Sequence, residues 1–175
     1  MEIIGIALNL VNSLSLMFVI AFLLSKTKAF KNLFFSDNNP IVHKVILAII
    51  FGIFGIFSTY NGFPVDGAIA NSRAIAVIVA GLLGGPIAGI GAGLIAGIHR
   101  WAIDIGGFTA VACAISTVTE GLVGSIGYKY SKKIKQKWFL GFVITVFAEI
   151  LQMIIILVVA KPYSAAMTLV NKISI

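Results

Sequence analysis

The chain's only two arginines, Arg73 and Arg100, bracket its most glycine-rich stretch, which holds Gly81, Gly84, Gly85, Gly89, Gly91, Gly93 and Gly97 around a single Pro86. The rest of that stretch is apolar, so it must be buried in protein or in lipid. Glycine relaxes the backbone, and proline cannot continue a helix but starts one readily. Gly84–Gly85–Pro86 therefore predicts a reversal between two short helices, Ala68–Leu83 and Ile87–Ala102. A chain that turns back there returns both guanidiniums to the same side. Gly89, Gly93 and Gly97 recur every four residues on one helix face, a stripe that lets another backbone approach closely.

Composition decides the solvent. The chain is 59% hydrophobic and only 11% charged, with a mean hydropathy of +1.08, which excludes an ordinary soluble domain. Apolar runs suited to crossing a membrane are Ile3–Leu24, Val42–Phe57, Ala68–Leu83, Ile87–Ala102, Phe108–Tyr128 and Trp138–Ala160. The expected fold is thus an all-α polytopic bundle of about six membrane segments, one domain over residues 1–175, with a short-helix hairpin in the middle. The third and fourth runs are short for a hydrocarbon core of about 30 Å, so neighbours must shield them. Ile3–Leu24 is too long for a signal-peptide core and follows Glu2 rather than a basic start, which reads as a retained helix. The tail after Pro162 is too short for a further span.

Lysines set the expected orientation. Lys26, Lys28, Lys31 and Lys44 surround the first loop, and Lys129, Lys132, Lys133, Lys135 and Lys137 fill the loop before the last long run. Loops rich in lysine stay in the cytoplasm. Four crossings separate the clusters, an even number, so both face inward and the N-terminus lies outside. Fusing the third and fourth runs into one helix would put the clusters on opposite sides. The same clusters account for the formal net charge of +7 as topology, leaving no case for nucleic acid.

In this arrangement Arg73 and Arg100 sit near the outer ends of the hairpin. A guanidinium is costly in hydrocarbon but suits a planar carboxylate, to which it offers two parallel charge-assisted hydrogen bonds. The plain alternative is that both snorkel to headgroups or pair with Asp66 and Asp104. Beyond Gly106–Gly107–Phe108–Thr109, Cys113, Ser116 and Thr117 share a helix face three and four residues apart. Beneath two arginines they would complete a pocket for a carboxylate with a neighbouring carbonyl. Equally, such hydroxyls bond their own helix backbone or glue helices together. Asn71, Asp66, His99, Thr109 and Glu120 are candidate rim or coupling residues. Glu149 and Gln152 share a face of the last long helix and must point inward or pair, with no role assigned by the sequence.

Enzymatic chemistry finds no support. The chain has no phosphate loop, nucleophile elbow or spaced carboxylate pair. Its one cysteine, Cys113, excludes an internal disulfide, and its two histidines make no zinc site. No cofactor or metal is expected.

Asp66-Gly-Ala-Ile-Ala-Asn71-Ser-Arg73, Gly84-Gly-Pro86, the Gly89/Gly93/Gly97 series, His99-Arg100, and Gly106-Gly-Phe-Thr109 with Cys113 and Ser116-Thr117 together resemble the LytS-type membrane sensor domain. The match is most specific from Asp66 to Gly124. The resemblance implies an input domain of a bacterial sensor histidine kinase in the cytoplasmic membrane, or of a diguanylate cyclase. Several kinases of this class respond to external pyruvate through two arginines, a cysteine and a serine; Arg73, Arg100, Cys113 and Ser116 stand at those positions. It also implies a homodimer and a cytoplasmic response regulator reached through kinase domains. Those domains and a further membrane helix are expected to lie outside these residues. The competing expectation is a substrate-binding membrane component of an energy-coupling factor transporter, which has a similar size and helix count.

Overall fold

The computed structural model describes residues 40–65, 68–131, 133–134 and 136–173, together with positions 5, 8, 11–12, 15, 18–20, 22 and 26–28 of the first segment. Most of the expected Ile3–Leu24 span, Lys31, Asp66, Lys132 and Lys135 lie outside the described residues; the positions given for the span are helical. The described elements are α1 (Pro40–Tyr60), β1 (Phe63–Val65), β2 (Ala68–Ala70), α2 (Arg73–Ala102), α3 (Ala110–Ser131), α4 (Lys137–Val159) and α5 (Tyr163–Ile173). Four of them, α1 to α4, are long and apolar enough to cross a membrane. The protein is an all-α membrane bundle with one small β-hairpin added.

Gly85 has φ 71° and ψ −159°, a backbone state that L side chains resist, and it breaks α2 into two helices. A Cβ placed on Gly89 would come within 2.7 Å of the Gly81 Cα, whereas residues eight apart in a straight helix are roughly 12 Å apart. Both halves also lie on the same stretch of α3. Gly81 and Gly89 each face the Gly121 carbonyl, Gly93 faces Thr117, and Gly97 faces Ala114. The reversal predicted at Gly84–Pro86 is therefore present, and the stripe of glycines is its seam against α3.

Close contacts also fix the ends of the bundle. A Cβ on Gly84 would lie 3.2 Å from Leu47, and one on Gly85 would lie 3.3 Å from the Tyr128 ring. Lys44 and Lys129, next to these contacts in sequence, thus stand at one end. At the other end a Cβ on Gly55 would meet both Ala96 and the Arg73 side chain, at 2.6 and 3.4 Å. Two lysine-bearing termini and two arginines occupy opposite ends of the bundle.

The interior is built from small residues. Ala74, Ala76, Ala80, Ala88, Ala92 and Ala96 are buried, while Leu94, Ile98, Trp101, Phe142, Phe147 and Val158 point outward. That is the pattern expected where lipid is the solvent and helices associate by close backbone packing.

One expectation needs correction. The third apolar run does not begin as helix at Ala68, because Ala68–Ala70 pairs antiparallel with Phe63–Val65, with Phe63 opposite Ala70 and Val65 opposite Ala68. Asn61–Gly62 turns the chain out of α1, and the helix starts only at Arg73. The tail after Pro162, too short for a span, forms α5, an amphipathic helix that buries Ala166 and Leu169 against Val65, Ala68 and Ile156.

Candidate functional site

At the arginine end the described residues form a layer of buried polar groups: Ser58, Thr59, Ser72, Arg73, Arg100, Thr109, Ser116, Thr117 and Glu120. Arg73 opens α2. The Asn71 side-chain oxygen accepts from the Arg73 backbone N–H at 3.0 Å, and Asn71 donates to the Ile69 carbonyl at 3.3 Å. Asn71 thereby satisfies one of the donors that every helix start leaves free. Ser72 packs against Ser58, with the two hydroxyls 3.0 Å apart.

Arg73 is only 3% exposed. Its Nε donates to the Thr117 hydroxyl at 2.8 Å, and Nη1 donates to the Thr59 hydroxyl at 3.4 Å. Each threonine is oriented by its own helix. Thr117 donates to the Cys113 carbonyl at 2.7 Å and Thr59 to the Gly55 carbonyl at 3.0 Å. With their protons committed, both hydroxyls turn lone pairs toward the arginine. Back-bonding to the helix and arginine binding are here the same arrangement. Among the described residues no carboxylate is bonded to Arg73.

Arg100 is fully buried. Its Nη1 forms an ion pair with Asp104 at 2.9 Å, Nη2 donates to Thr109 at 3.4 Å, and its Nε has no partner among the described residues. The turn that presents Asp104 depends on glycine. Gly106 has φ 94°, and the Asp104 carboxylate lies where a Gly107 Cβ would be. The neighbouring His99 ring packs edge-on to Tyr60 and shares a 3.3 Å hydrogen bond with its hydroxyl.

The predicted residues therefore fall into three neighbouring groups. Arg73 and Thr117 meet through a hydrogen bond, with Glu120 buried one turn along α3. Arg100 and Thr109 meet with Asp104. Cys113 instead lines a cavity of about 290 Å³ with Asn71, Ser72, Ile75, Glu149, Gln152 and residues of the β-hairpin, α4 and α5. Ser116 donates to the Cys113 carbonyl at 3.0 Å and is fully buried. Asp66 lies outside the described residues. Both Glu120 carboxylate oxygens are buried without a hydrogen-bond partner among the described residues.

Sequence reading missed Ser58, Thr59 and Ser72, and it left Glu149 and Gln152 without a place. The only signal for Thr59 was a small polar residue at the exit of an apolar helix. Nothing local ties Glu149 to Cys113, since they come from helices far apart in the chain. A larger groove of about 480 Å³ runs between Gly97–Trp101 and Val111–Thr119. Its lining is apolar apart from the Trp101 indole N–H and Thr119, whose hydroxyl is committed to the Ser116 carbonyl at 2.7 Å, so it offers no charged group to hold a carboxylate. Among the described residues no cluster of His, Cys, Asp and Glu could hold a metal ion.

A family model described as 5TMR of 5TMR-LYT matches residues 27–175. The chain is 39% identical to the sensor histidine kinase BtsS of Escherichia coli K12, over 97% of this chain and 31% of that protein. It is 37% identical to the sensor histidine kinase YpdA of the same strain, over 99% and 31%. With the sensor protein LytS of Bacillus subtilis 168 it shares 36% identity, over 90% and 29%. The chain spans under a third of the length of these relatives, and the match leaves their catalytic module outside it. No solved structure matches. The chain belongs to the 5TMR-LYT family, as a membrane sensor domain related to those of two-component histidine kinases.

Proposed function

We propose that this domain senses a small external monocarboxylate, pyruvate first among candidates, and passes its binding to a cytoplasmic histidine kinase output. The observation that carries this reading is Arg73: a buried guanidinium whose partners are two neutral hydroxyls on α1 and α3. Glu120 and Glu149 are within electrostatic reach of Arg73 but neither is bonded to it; a buried cation without a bonded counter-charge is costly, and an anionic ligand bonded to it lowers that cost. Arg100, already paired with Asp104 but with its Nε unsatisfied, supplies the second positive centre. Cys113 and Asn71 line the cavity beside Arg73, Thr117 holds the guanidinium from α3, and Ser116, Thr109 and His99 stand in the surrounding polar layer.

The membrane orientation follows from charge. With the Lys44 and Lys129 end in the cytoplasm, the arginines face outward, the hairpin of α2 counts as two segments, and the N-terminus is external. The domain then acts in the bacterial cytoplasmic membrane, as a homodimer, upstream of a response regulator. Relatives named as sensor kinases favour sensing over transport.

The test is pyruvate titration of the protein in nanodiscs. Saturable binding is expected, weakened at least a hundredfold by Arg73→Ala and at least tenfold by Arg73→Lys, which keeps the charge but loses the planar fork. Folded wild type that binds no carboxylate overturns the reading.

A further inference from the structure

The cavity beneath the β-hairpin is asymmetric in its chemistry. One wall holds Asn71 and Ser72, directly before Arg73, and Cys113, whose carbonyl fixes the threonine that Arg73 bonds. The opposite wall, one turn of α4, presents Glu149 and Gln152. Neither side chain makes a hydrogen bond within the described residues, and both are half-buried where they line the cavity. Such groups in a membrane helix point at a function rather than at lipid. Among the described lining residues Glu149 is the only charged one, and Arg73 is the cation within its electrostatic reach.

We propose that Glu149 and Gln152 are the specificity-determining wall of this cavity: Gln152 donates its amide to an oxygen at C2 of the ligand, and Glu149 rejects a second carboxylate. This rests on the carboxylate reading above and deepens it. Arg73 stands just behind the lining, next in the chain to Asn71 and Ser72; the ligand's carboxylate lies at that end and draws Nη1 away from its longer, 3.4 Å contact with Thr59. Its far end then meets α4.

Size and charge give the discrimination. A cavity of about 290 Å³ is equivalent to a sphere about 8 Å across, slightly below the roughly 300–1,000 Å³ of drug-sized sites. A second carboxylate at the far side of a cavity of that span lies about 8 Å from Glu149. At an effective dielectric of about 20, that repulsion corresponds to roughly a thirtyfold loss of affinity. Val65, Ile75, Ile156 and Leu169 close the remaining sides, so a methyl group is accepted where a charged group is not.

The experiment titrates pyruvate, propionate and succinate into wild type, Glu149→Gln and Gln152→Leu in nanodiscs, with thermal unfolding to confirm that each variant is folded. Glu149→Gln keeps shape and removes charge; it is expected to raise succinate affinity relative to pyruvate at least tenfold. Gln152→Leu is expected to reduce the preference for pyruvate over propionate at least fivefold. If wild type binds pyruvate and both ratios stay unchanged in folded variants, the wall assignment is overturned while the sensor reading stands. If wild type binds none of the three, both are overturned.

Discussion

Substituting Gly89 by alanine tests the seam on which the whole arrangement depends. The added methyl carbon would meet the Gly121 carbonyl, the Ser125 hydroxyl at 2.5 Å and the Gly81 Cα at 2.7 Å. Two of those partners are backbone atoms and cannot swing aside. Restoring an ordinary carbon–carbon contact of about 3.7 Å means moving α3 or the first half of α2 by about 1 Å. A seam of roughly 40 atom contacts at about 0.15 kcal/mol each loses a quarter to a half of its attraction across such a gap, or about 1.5–3 kcal/mol. That matches the usual cost of overpacking, about 1–3 kcal/mol. Alanine's better helix propensity returns about 1 kcal/mol, for a net loss of about 0.5–2 kcal/mol. Gly141→Ala is the internal control, because nothing lies within 4 Å of its added carbon; it should gain up to about 1 kcal/mol. Reversible denaturation in detergent should place the two variants about 1.5–3 kcal/mol apart, the difference between those two estimates. Gly93→Ala and Gly97→Ala, whose tightest contacts are both 2.9 Å, should fall between them. Equal stability of Gly89→Ala and Gly141→Ala would falsify the folded-back hairpin.

Two further outcomes follow from the hydrogen bonds. Thr117→Val removes the acceptor of the buried Arg73 Nε and should cost about 1–3 kcal/mol by the same denaturation measurement. Ser116→Ala should cost under about 1 kcal/mol, since the Ser116 hydroxyl only returns to its own helix; a marked fall in pyruvate binding by this variant would assign it to the ligand. Asp104→Asn leaves Arg100 buried without its counter-charge, but Asp104 itself is 34% exposed. The loss should therefore be about 1–2 kcal/mol, below the roughly 3–5 kcal/mol of a fully buried pair broken on one side.

The reversal of α2 was legible in the sequence because it has a local cause. A glycine pair followed by proline leaves few backbone alternatives, and the parity of the lysine clusters selects among them. The contact of Gly89, Gly93 and Gly97 with another helix was legible for the same reason, as a period of four on a helix has one face. The β-hairpin was not. Phe63–Val65 and Ala68–Ala70 are short apolar runs that periodicity cannot separate from the start of a helix, and their pairing is decided by the turn out of α1. The candidate site divides along the same line. Arg73 and Arg100 stand out as the only arginines in an apolar chain, and the pairing of Arg100 with Asp104 was legible as a local spacing of four, whereas Thr59, which helps hold Arg73, is an ordinary residue placed by tertiary structure. Glu149 was visible as an expensive residue, but its position opposite Cys113 depends on how α4 rotates against α3.

The bonding of Arg73 also bears on how binding could leave the site. A ligand shifts a conformational equilibrium only through contacts that differ between two states. Arg73 is the junction of three elements: it starts α2, bonds Thr59 near the end of α1 and bonds Thr117 in the middle of α3. An anion that takes guanidinium donors competes first with the longer bond to Thr59, so occupation would loosen α1 from α2 while leaving the α2–α3 seam closed. That seam has glycine on both sides, Gly81 and Gly89 against Gly121 and Gly124, and a contact of backbone on backbone cannot yield gradually. The α1–α2 contact is made instead through side chains, Ala48 over Gly91, Ile95 over Gly52 and Ala96 over Gly55, so α1 is the element better able to shift, and its opposite end carries Lys44, near the hairpin turn at Gly84. A signal generated at the arginine end would therefore emerge at the lysine end as a movement of α1 against a rigid α2–α3 pair.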